Sequence, residues 1–226
     1  MKAIPLEKEY LNLVYGELVR LSQDKNLFAS VLSAVEDVYL RVEAAVSEAA
    51  GAANLAFECQ RGCCLCCPPN VGVELFEILP LVASLNEGPT EVFADALEAA
   101  QREDTVGPGR ISFAKMFLET SKEMPHCFLL DEEKACGIYN QRPLACRLHV
   151  STSVAVCRQE KRPQFTPKFA ADLDSRVKKI VDDFAASGHH LLTGLGGTMY
   201  RMLTYNPQQR RFGLNFFGQE IIFTRP

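Results

Sequence analysis

The sequence lacks an apolar run long enough to cross a membrane, and residues 1–11 lack the apolar core of a secretion signal. It also lacks an excess of basic residues, because 24 lysines and arginines are set against 28 acidic residues, for a net charge of −4. That balance gives no electrostatic footprint for nucleic acid. Internal repeats and low-complexity segments are absent as well. We therefore expect a cytoplasmic protein that binds neither membranes nor nucleic acid.

Familiar catalytic motifs are missing too. No Ser/His/Asp arrangement, P-loop or paired-acid signature occurs. The run Gly194-Leu-Gly196-Gly197 is glycine-rich like a phosphate-binding loop, but it lacks the preceding strand that such a loop requires. The composition is otherwise that of an ordinary globular protein, with 47% hydrophobic and 23% charged residues. A chain of 226 residues can bury a core without help from a metal.

Cysteine, by contrast, is abundant and clustered. Five of the nine cysteines lie within nine residues, and the other four follow at intervals of nine, ten and eleven. A disulfide between such near neighbours is strained, and thiols are kept reduced in the cytoplasm, so metal coordination is the better explanation. The first group is Cys59, Cys63, Cys64, Cys66 and Cys67; the second is Cys127, Cys136, Cys146 and Cys157.

The spacing within the first group suggests a ligand set. Cys59, Cys63, Cys66 and Cys67 follow one another at sequence intervals of four, three and one, so a compact loop could direct four sulfurs inward. A [4Fe–4S] cluster and a tetrahedral zinc ion each take four cysteines, and spacing alone does not choose between them. Eight thiolates suffice for two four-coordinate sites, or for one cluster and one ion. We predict as metal ligands Cys59, Cys63, Cys66, Cys67, Cys127, Cys136, Cys146 and Cys157, with Cys64 as the spare cysteine.

Two alternatives bear on this ligand set. An isolated cysteine can be merely a small buried side chain, which applies best to Cys157. Two histidines are candidate nitrogen ligands, because His126 adjoins Cys127 and His149 shares a helical face with Cys146. Histidines with a purely structural role are nevertheless more common.

Two arginines flank Cys146. The guanidinium groups of Arg142 and Arg147 would offset the negative charge of several thiolates, lower their pKa and raise a cluster's reduction potential. We therefore predict that both arginines lie close to the cofactor without binding it directly. The alternative for Arg147 is a solvent-exposed side chain at a helix start. Tyr139 either donates a hydrogen bond to a ligand sulfur or fills the core.

The apolar spacing predicts a mainly α protein with a small β-hairpin. The cysteine group at residues 59–67 adds a cysteine-rich, metal-binding knot, hereafter the knot. A helical hairpin covers residues 1–50, with Asp24 or Asn26 as the cap between its helices. Further helices are predicted over 73–85, from Thr90 with a stripe including Val92, and from Thr166-Pro167 to Gly188. Short helices are expected after Arg142-Pro143 and around 199–203, the latter preceded by a glycine loop.

Two short hairpins complete the prediction. Residues 126–140 form a β-hairpin that brings Cys127 and Cys136 together. Residues 211–223 form a second hairpin. We expect one domain over 1–226, made of the helical hairpin (1–50), a metal-binding cysteine core (55–160) and a C-terminal helical segment (166–226).

The cysteine blocks also resemble a known family. The chain has a knot ending in Cys66-Cys67, then Cys127-Phe-Leu, then Cys136-Gly-Ile-Tyr-Asn-Gln-Arg-Pro-Leu-Ala-Cys146-Arg147. This pattern resembles the YkgJ-like cysteine-cluster family, described as zinc- or iron-chelating proteins and similar to flagellin lysine N-methylases. The usual first block is Cys-x-x-Cys-Gly-x-Cys-Cys, whereas here one more residue precedes Cys63, and Cys64 replaces the glycine. The resemblance covers about an eighth of the chain.

What the resemblance implies is a metal ion or an iron–sulfur centre. Our first hypothesis is a cytosolic metal-binding protein holding an iron–sulfur cluster, with [4Fe–4S] favoured, or a zinc or iron ion. The second is an iron–sulfur enzyme that modifies a protein or peptide partner, like a lysine N-methylase; it ranks lower because no cosubstrate site is visible. The third is a structural zinc protein that mediates interaction. Eight ligands exceed what folding needs, which favours a functional metal.

Overall fold

The computed structural model describes residues 8–65, 67, 71–88, 90–103, 127–158 and 165–223. Its described residues are mainly helical, as predicted. Among them, no helix combines the length and apolar character needed to span a bilayer.

The predicted helical hairpin is present at the N-terminus. Helix α1 (Lys8–Gln23) is followed after one residue by α2 (Lys25–Ala52). Of the two predicted caps, Asp24 is the correct one: its carboxylate accepts hydrogen bonds from the backbone N–H groups of Asn26 and Leu27, both at 3.0 Å. The hairpin therefore starts its second helix through a locally encoded cap.

A buried central helix follows the cysteine knot. Strand β1 (Gly72–Glu74) leads directly into α3 (Leu75–Glu87), so the prediction of helix from residue 73 was wrong for the first two residues. Nearly every side chain of α3 is buried, which explains its apolar sequence. Pro80 lies inside this helix without ending it. Helix α3 contacts both α2 and the C-terminal sheet.

Helix α4 (Thr90–Glu103) begins where predicted. Its buried face includes Phe93, Ala94 and Leu97, whereas Val92 is 66% exposed. The predicted apolar stripe was therefore wrong at Val92, because the two larger apolar residues determine which face turns inward. The run Gly107-Pro108-Gly109 that follows this helix in the sequence predicts a loop, and it lies outside the described residues.

The segment after residue 126 is only partly hairpin-like. Leu130 and Cys136 form a single antiparallel bridge around a tight turn, so the predicted strands are reduced to one pair of residues. A 3₁₀ turn (Tyr139–Gln141) and the short helices α5 (Leu144–Leu148) and α6 (Val154–Arg158) follow.

The long helix α7 (Pro167–Phe184) packs along α2. The Thr166 hydroxyl caps it by accepting from the Phe169 N–H at 3.2 Å. A π-helical turn (Ala185–His189) extends the helix to Gly188, whose φ of 107° ends it as predicted. An ion pair of 2.6 Å between Arg41 and Asp183 links the two long helices at the surface.

The C-terminal third contains more strand than predicted. Strand β2 (Gly196–Thr198) pairs antiparallel with β1, and a short helix α8 (Met199–Met202) follows. Strands β3 (Leu203–Asn206), β4 (Arg211–Phe216) and β5 (Gln219–Ile221) form an antiparallel sheet in chain order. Gly196 and Gly197 of the predicted glycine loop thus belong to a strand, and the predicted helical segment 166–226 contains four strands beside its helices. The predicted terminal hairpin corresponds to β4 and β5.

A contiguous cluster of buried apolar side chains runs from Val14 in α1 to Phe223 beyond β5. Cys127, Cys136 and Cys146 pack against its edge. The cysteine region therefore packs against the main core. That residues 1–226 form a single domain stays a prediction.

Candidate metal centre

Six cysteines from distant parts of the chain line one cavity of about 290 Å³. His149 and the two predicted arginines line it as well. The cysteines are Cys59, Cys63, Cys67, Cys127, Cys136 and Cys146.

The other candidate ligands are placed differently. Cys64 and Cys157 are described but do not line the cavity. Cys66 and His126 lie outside the described residues. The eight described cysteines are thiols rather than disulfides. The predicted ligand set therefore remains a prediction, with six of its eight members around one space.

Backbone hydrogen bonds join the knot to the second group of cysteines. The Cys67 N–H donates to the Cys64 carbonyl at 3.0 Å, which folds the end of the knot into a turn. The Cys127 N–H in turn donates to the Cys67 carbonyl at 3.2 Å. These contacts hold two cysteines that are sixty residues apart in sequence beside the same cavity.

Cys59 is held by the segment that follows α5. The Ser151 N–H donates to the Cys59 sulfur at 3.0 Å, and the Glu58 N–H donates to the Ser151 carbonyl at 3.0 Å. The Glu58 carboxylate also accepts from the Val154 N–H at 2.6 Å. A backbone donor directed at sulfur stabilises negative charge on it, which is how proteins tune metal-bound thiolates.

Cys127 and Cys136 stand on either side of the tight turn. The Asp131 carboxylate accepts from the Ala135 N–H at 2.7 Å, and the Gly137 N–H donates to the Leu129 carbonyl at 2.9 Å. Burial raises the pKa of the Cys127 thiol to about 11. Burial also raises the pKa of Cys136, although nearby Arg142 and Arg61 oppose that shift. A metal held by these two sulfurs would have to displace their protons, so its binding would be favoured at higher pH.

Helix α5 is tied to α3 by a buried carboxylate. Glu77 accepts from the Leu144 N–H at 2.5 Å and from the Glu74 N–H at 2.8 Å. Its burial raises its pKa to about 7, against the opposing effect of these two hydrogen bonds. Glu77 thus fixes the start of the helix that carries Cys146.

Arg147 is buried, so the alternative of a solvent-exposed side chain was wrong. Its Nε donates to the Arg142 carbonyl at 2.8 Å, and its other nitrogens donate to the Asn140 carbonyl and to the Glu43 carboxylate. The guanidinium lies 4.1 Å from the centre of the Tyr39 ring. Burial lowers the pKa of Arg147, and Glu43 opposes that effect. The arginine therefore joins α5 to the N-terminal hairpin.

Tyr139 stacks with arginine at the same cavity. The Arg142 guanidinium carbon lies 3.9 Å from the ring centre, and that of exposed Arg61 lies 5.7 Å from it. Neither predicted role of Tyr139 covers this arrangement, in which its ring face receives cationic side chains.

A comparison with protein families decides the identity of this region. The CxxCxxCC family model, described as "Putative zinc- or iron-chelating domain", matches residues 58–170, which is half of the chain. The chain belongs to this family. The resemblance seen in the sequence is therefore confirmed. No curated protein and no solved structure matches the chain.

The chelating domain's donors suit a thiophilic metal. Sulfur and imidazole ligands select zinc, iron or iron–sulfur clusters, and none of the described cavity-lining residues is a carboxylate that would favour magnesium or calcium. Within the described ranges, no three His, Cys, Asp or Glu side chains form a preformed ion site. The donor types therefore fit a thiophilic metal.

Sequence reasoning missed the supports of this chelating domain. Glu43 lies 104 residues from Arg147 in the chain and outside the family match, so no local pattern connects them. Glu77 lies 67 residues from Leu144 in the chain, so no local pattern indicates the hydrogen bond between them. Arg61 lies within the knot, where its charge was the one available signal.

Proposed function

We propose that this protein binds an iron–sulfur cluster through the cysteines that surround the cavity. The observation that supports this most is the convergence of six thiols from three chain segments on one space of about 290 Å³. The ligands would come from Cys59, Cys63, Cys67, Cys127, Cys136 and Cys146, together with Cys66 of the knot.

The size of the space favours a polynuclear centre over a single zinc ion. A structural zinc ion draws four ligands to within about 2.3 Å and leaves no volume between them. A cubane cluster places iron and sulfide inside the ring of thiolates and so occupies real volume. A cavity with more than four sulfurs around it is better matched to the cluster. Zinc or iron as a single ion is the alternative.

The charge of the lining supports the same proposal. A cluster bound by four thiolates carries negative charge, and burying that charge is costly unless cations lie nearby. Arg142 and Arg147 line the cavity, and no acidic residue among the described ones does so. Such arginines would raise the reduction potential of a bound cluster.

A reducing compartment follows from this chemistry. The chain has nine cysteines, and the eight described ones form no disulfide. This is compatible with the cytoplasm, where thiols stay reduced. We therefore place the protein there.

A second candidate function is a cluster-dependent enzyme acting on a protein or peptide, as in the lysine N-methylases. Support for it comes from the excess of thiols over the four that a closed centre needs, because the remaining space could admit a substrate. A purely structural zinc role is less well supported, because the apolar core that α1, α2, α3 and α7 share contains no described residue of the knot.

Alanine variants test the ligand assignment. We expect Cys63→Ala, Cys66→Ala and Cys67→Ala each to lose bound metal, because each removes a thiolate from the proposed set. Cys64→Ala is the matched control: it lies in the same knot but does not line the cavity, so it should retain metal. Metal content per protein chain is measured after anaerobic purification. Full retention by the three knot variants would refute the assignment.

A further inference from the structure

One side-chain nitrogen of Arg142 has no hydrogen-bond partner among the described residues. Its Nη1 is buried and has no partner in the part of the chain that the structure describes. Its Nη2 makes only a long contact of 3.4 Å with the Glu43 carboxylate. Leaving a charged donor buried and unsatisfied costs free energy, so a partner for Nη1 would be stabilised in this position.

The neighbouring arginine, by contrast, already has a hydrogen-bond partner at each of its three nitrogens. Arg147 donates to the Arg142 carbonyl, the Asn140 carbonyl and the Glu43 carboxylate through its three nitrogens. No carboxylate among the described lining residues faces Arg142 within the cavity. Arg142 is thus the arginine of this lining that has a side-chain nitrogen without a hydrogen-bond partner among the described residues.

Much of the remaining wall is apolar, although Gln60, Tyr139 and His149 also line it. Phe57, Val71, Leu129, Ile138 and Met199 line the cavity beside the thiols. Small-molecule sites typically combine such a wall with one or two polar groups that orient the ligand. An arginine fork is the group best shaped for a carboxylate, and exposed Arg61 near the same tyrosine ring adds positive charge.

We propose that Arg142 binds the carboxylate of a small organic acid whose apolar part lies against this wall, beside the thiols. The inference deepens the proposed function, since the acid shares the cavity with the metal centre. This acid would be a ligand or a substrate with an apolar body and a single anionic group. Binding of such an acid can be measured with and without metal, which separates the two proposals.

Hexanoate is a suitable probe, and calorimetric titration of the reduced full-length protein is the measurement. We expect wild type to bind hexanoate at least about tenfold more tightly than hexanamide, which lacks the charge, or inorganic phosphate, which lacks the apolar body. Arg142→Gln should weaken hexanoate binding at least about tenfold, and Arg142→Lys should weaken it less, because the charge is kept. Arg20→Gln is the control, because Arg20 is exposed and pairs with Glu17 in its own helix.

Several outcomes overturn the inference. They are equal affinity for hexanamide, unchanged hexanoate binding by Arg142→Gln, or no binding by wild type in both the metal-free and the metal-loaded form. If Arg142→Gln lowers metal content but not hexanoate affinity, the arginine acts on the thiolates alone and the organic-acid site is refuted. Hexanoate binding by wild type that never retains metal would instead refute the proposed function and leave this inference standing. Circular dichroism of each variant establishes that it is folded.

Discussion

At the scale of single residues, the cavity depends on charged side chains that connect its wall to the rest of the fold. Arg147 is the clearest case, because it contacts two carbonyls of its own segment and a carboxylate on α2. Only 5% of Arg147 is exposed, whereas its partner Glu43 is roughly half exposed. The buried arginine therefore connects the N-terminal helical hairpin to α5. Most of its contribution to stability comes from the hydrogen bonds that it donates.

Removing the Arg147 side chain should destabilise the fold. We expect Arg147→Ala to lower the free energy of unfolding by about 2–4 kcal/mol, because it removes the donor to two partly buried carbonyls and the buried partner of the Glu43 carboxylate. Urea unfolding of metal-free protein measures this. Arg20→Ala is the control and should change stability by at most about 0.5 kcal/mol, since its ion pair is at the surface. A loss below about 1 kcal/mol for Arg147→Ala would contradict this role.

Glu77 predicts a pH dependence of stability. Its folded pKa of about 7 lies above the model-peptide value of 4.5, so the folded state holds the proton more tightly than the unfolded state. The resulting stabilisation is complete below pH 4.5 and is lost as the pH rises through about 7. Glu77→Gln should remove this component and flatten the fall in unfolding free energy over that range.

The measurement for Glu77 is urea unfolding of metal-free protein at several pH values. Removal of metal matters here, because protons also compete with metal for thiolates. Glu48→Gln, which changes an exposed carboxylate, controls for the loss of one acid. Identical pH profiles for wild type and Glu77→Gln would show that the carboxylate does not hold a proton in the folded state.

At the scale of elements, locally encoded features were predictable and long-range pairings were not. Asp24 and Thr166 cap the helices that their sequence positions indicated, because a cap needs only the next three residues. Strands β1 and β2 have three residues each and pair Val73 with Gly197 across more than a hundred residues, so neither has a usable period. The missed strand β3 is similarly short.

The C-terminal sheet makes a specific demand at Gly213 of β4. A Cβ atom at this position would lie 2.5 Å from the Ile221 carbonyl oxygen of β5, which is a backbone atom that cannot turn aside. We expect Gly213→Ala to destabilise the protein by about 1–3 kcal/mol through this clash. Thermal unfolding is the measurement.

Gly16 offers the matched substitution on a helix. A Cβ atom there would meet nothing within 4 Å, and the residue lies inside α1. Gly16→Ala should therefore stabilise the protein by about 0.5–1 kcal/mol, because alanine favours helix. Effects of the same sign for the two variants would contradict the close packing of β4 on β5.

At the scale of the whole molecule, the chelating domain depends on the rest of the chain. The family match begins at residue 58, yet Tyr39 and Glu43 of α2 contact Arg147 behind the cavity. The cysteine spacing predicted that thiols far apart in sequence would meet, and six of them do line one cavity. It could not predict that Cys157 would lie elsewhere, because the path after α5 is fixed by the bonds among Glu58, Ser151 and Val154.

The most direct test of the central claim is the metal and sulfide content of protein purified without oxygen. The account predicts a brown protein that contains iron and acid-labile sulfide in about equal amounts, with broad absorption near ~400 nm that bleaches on reduction. A colourless protein that contains zinc alone, or no metal at all, would contradict it.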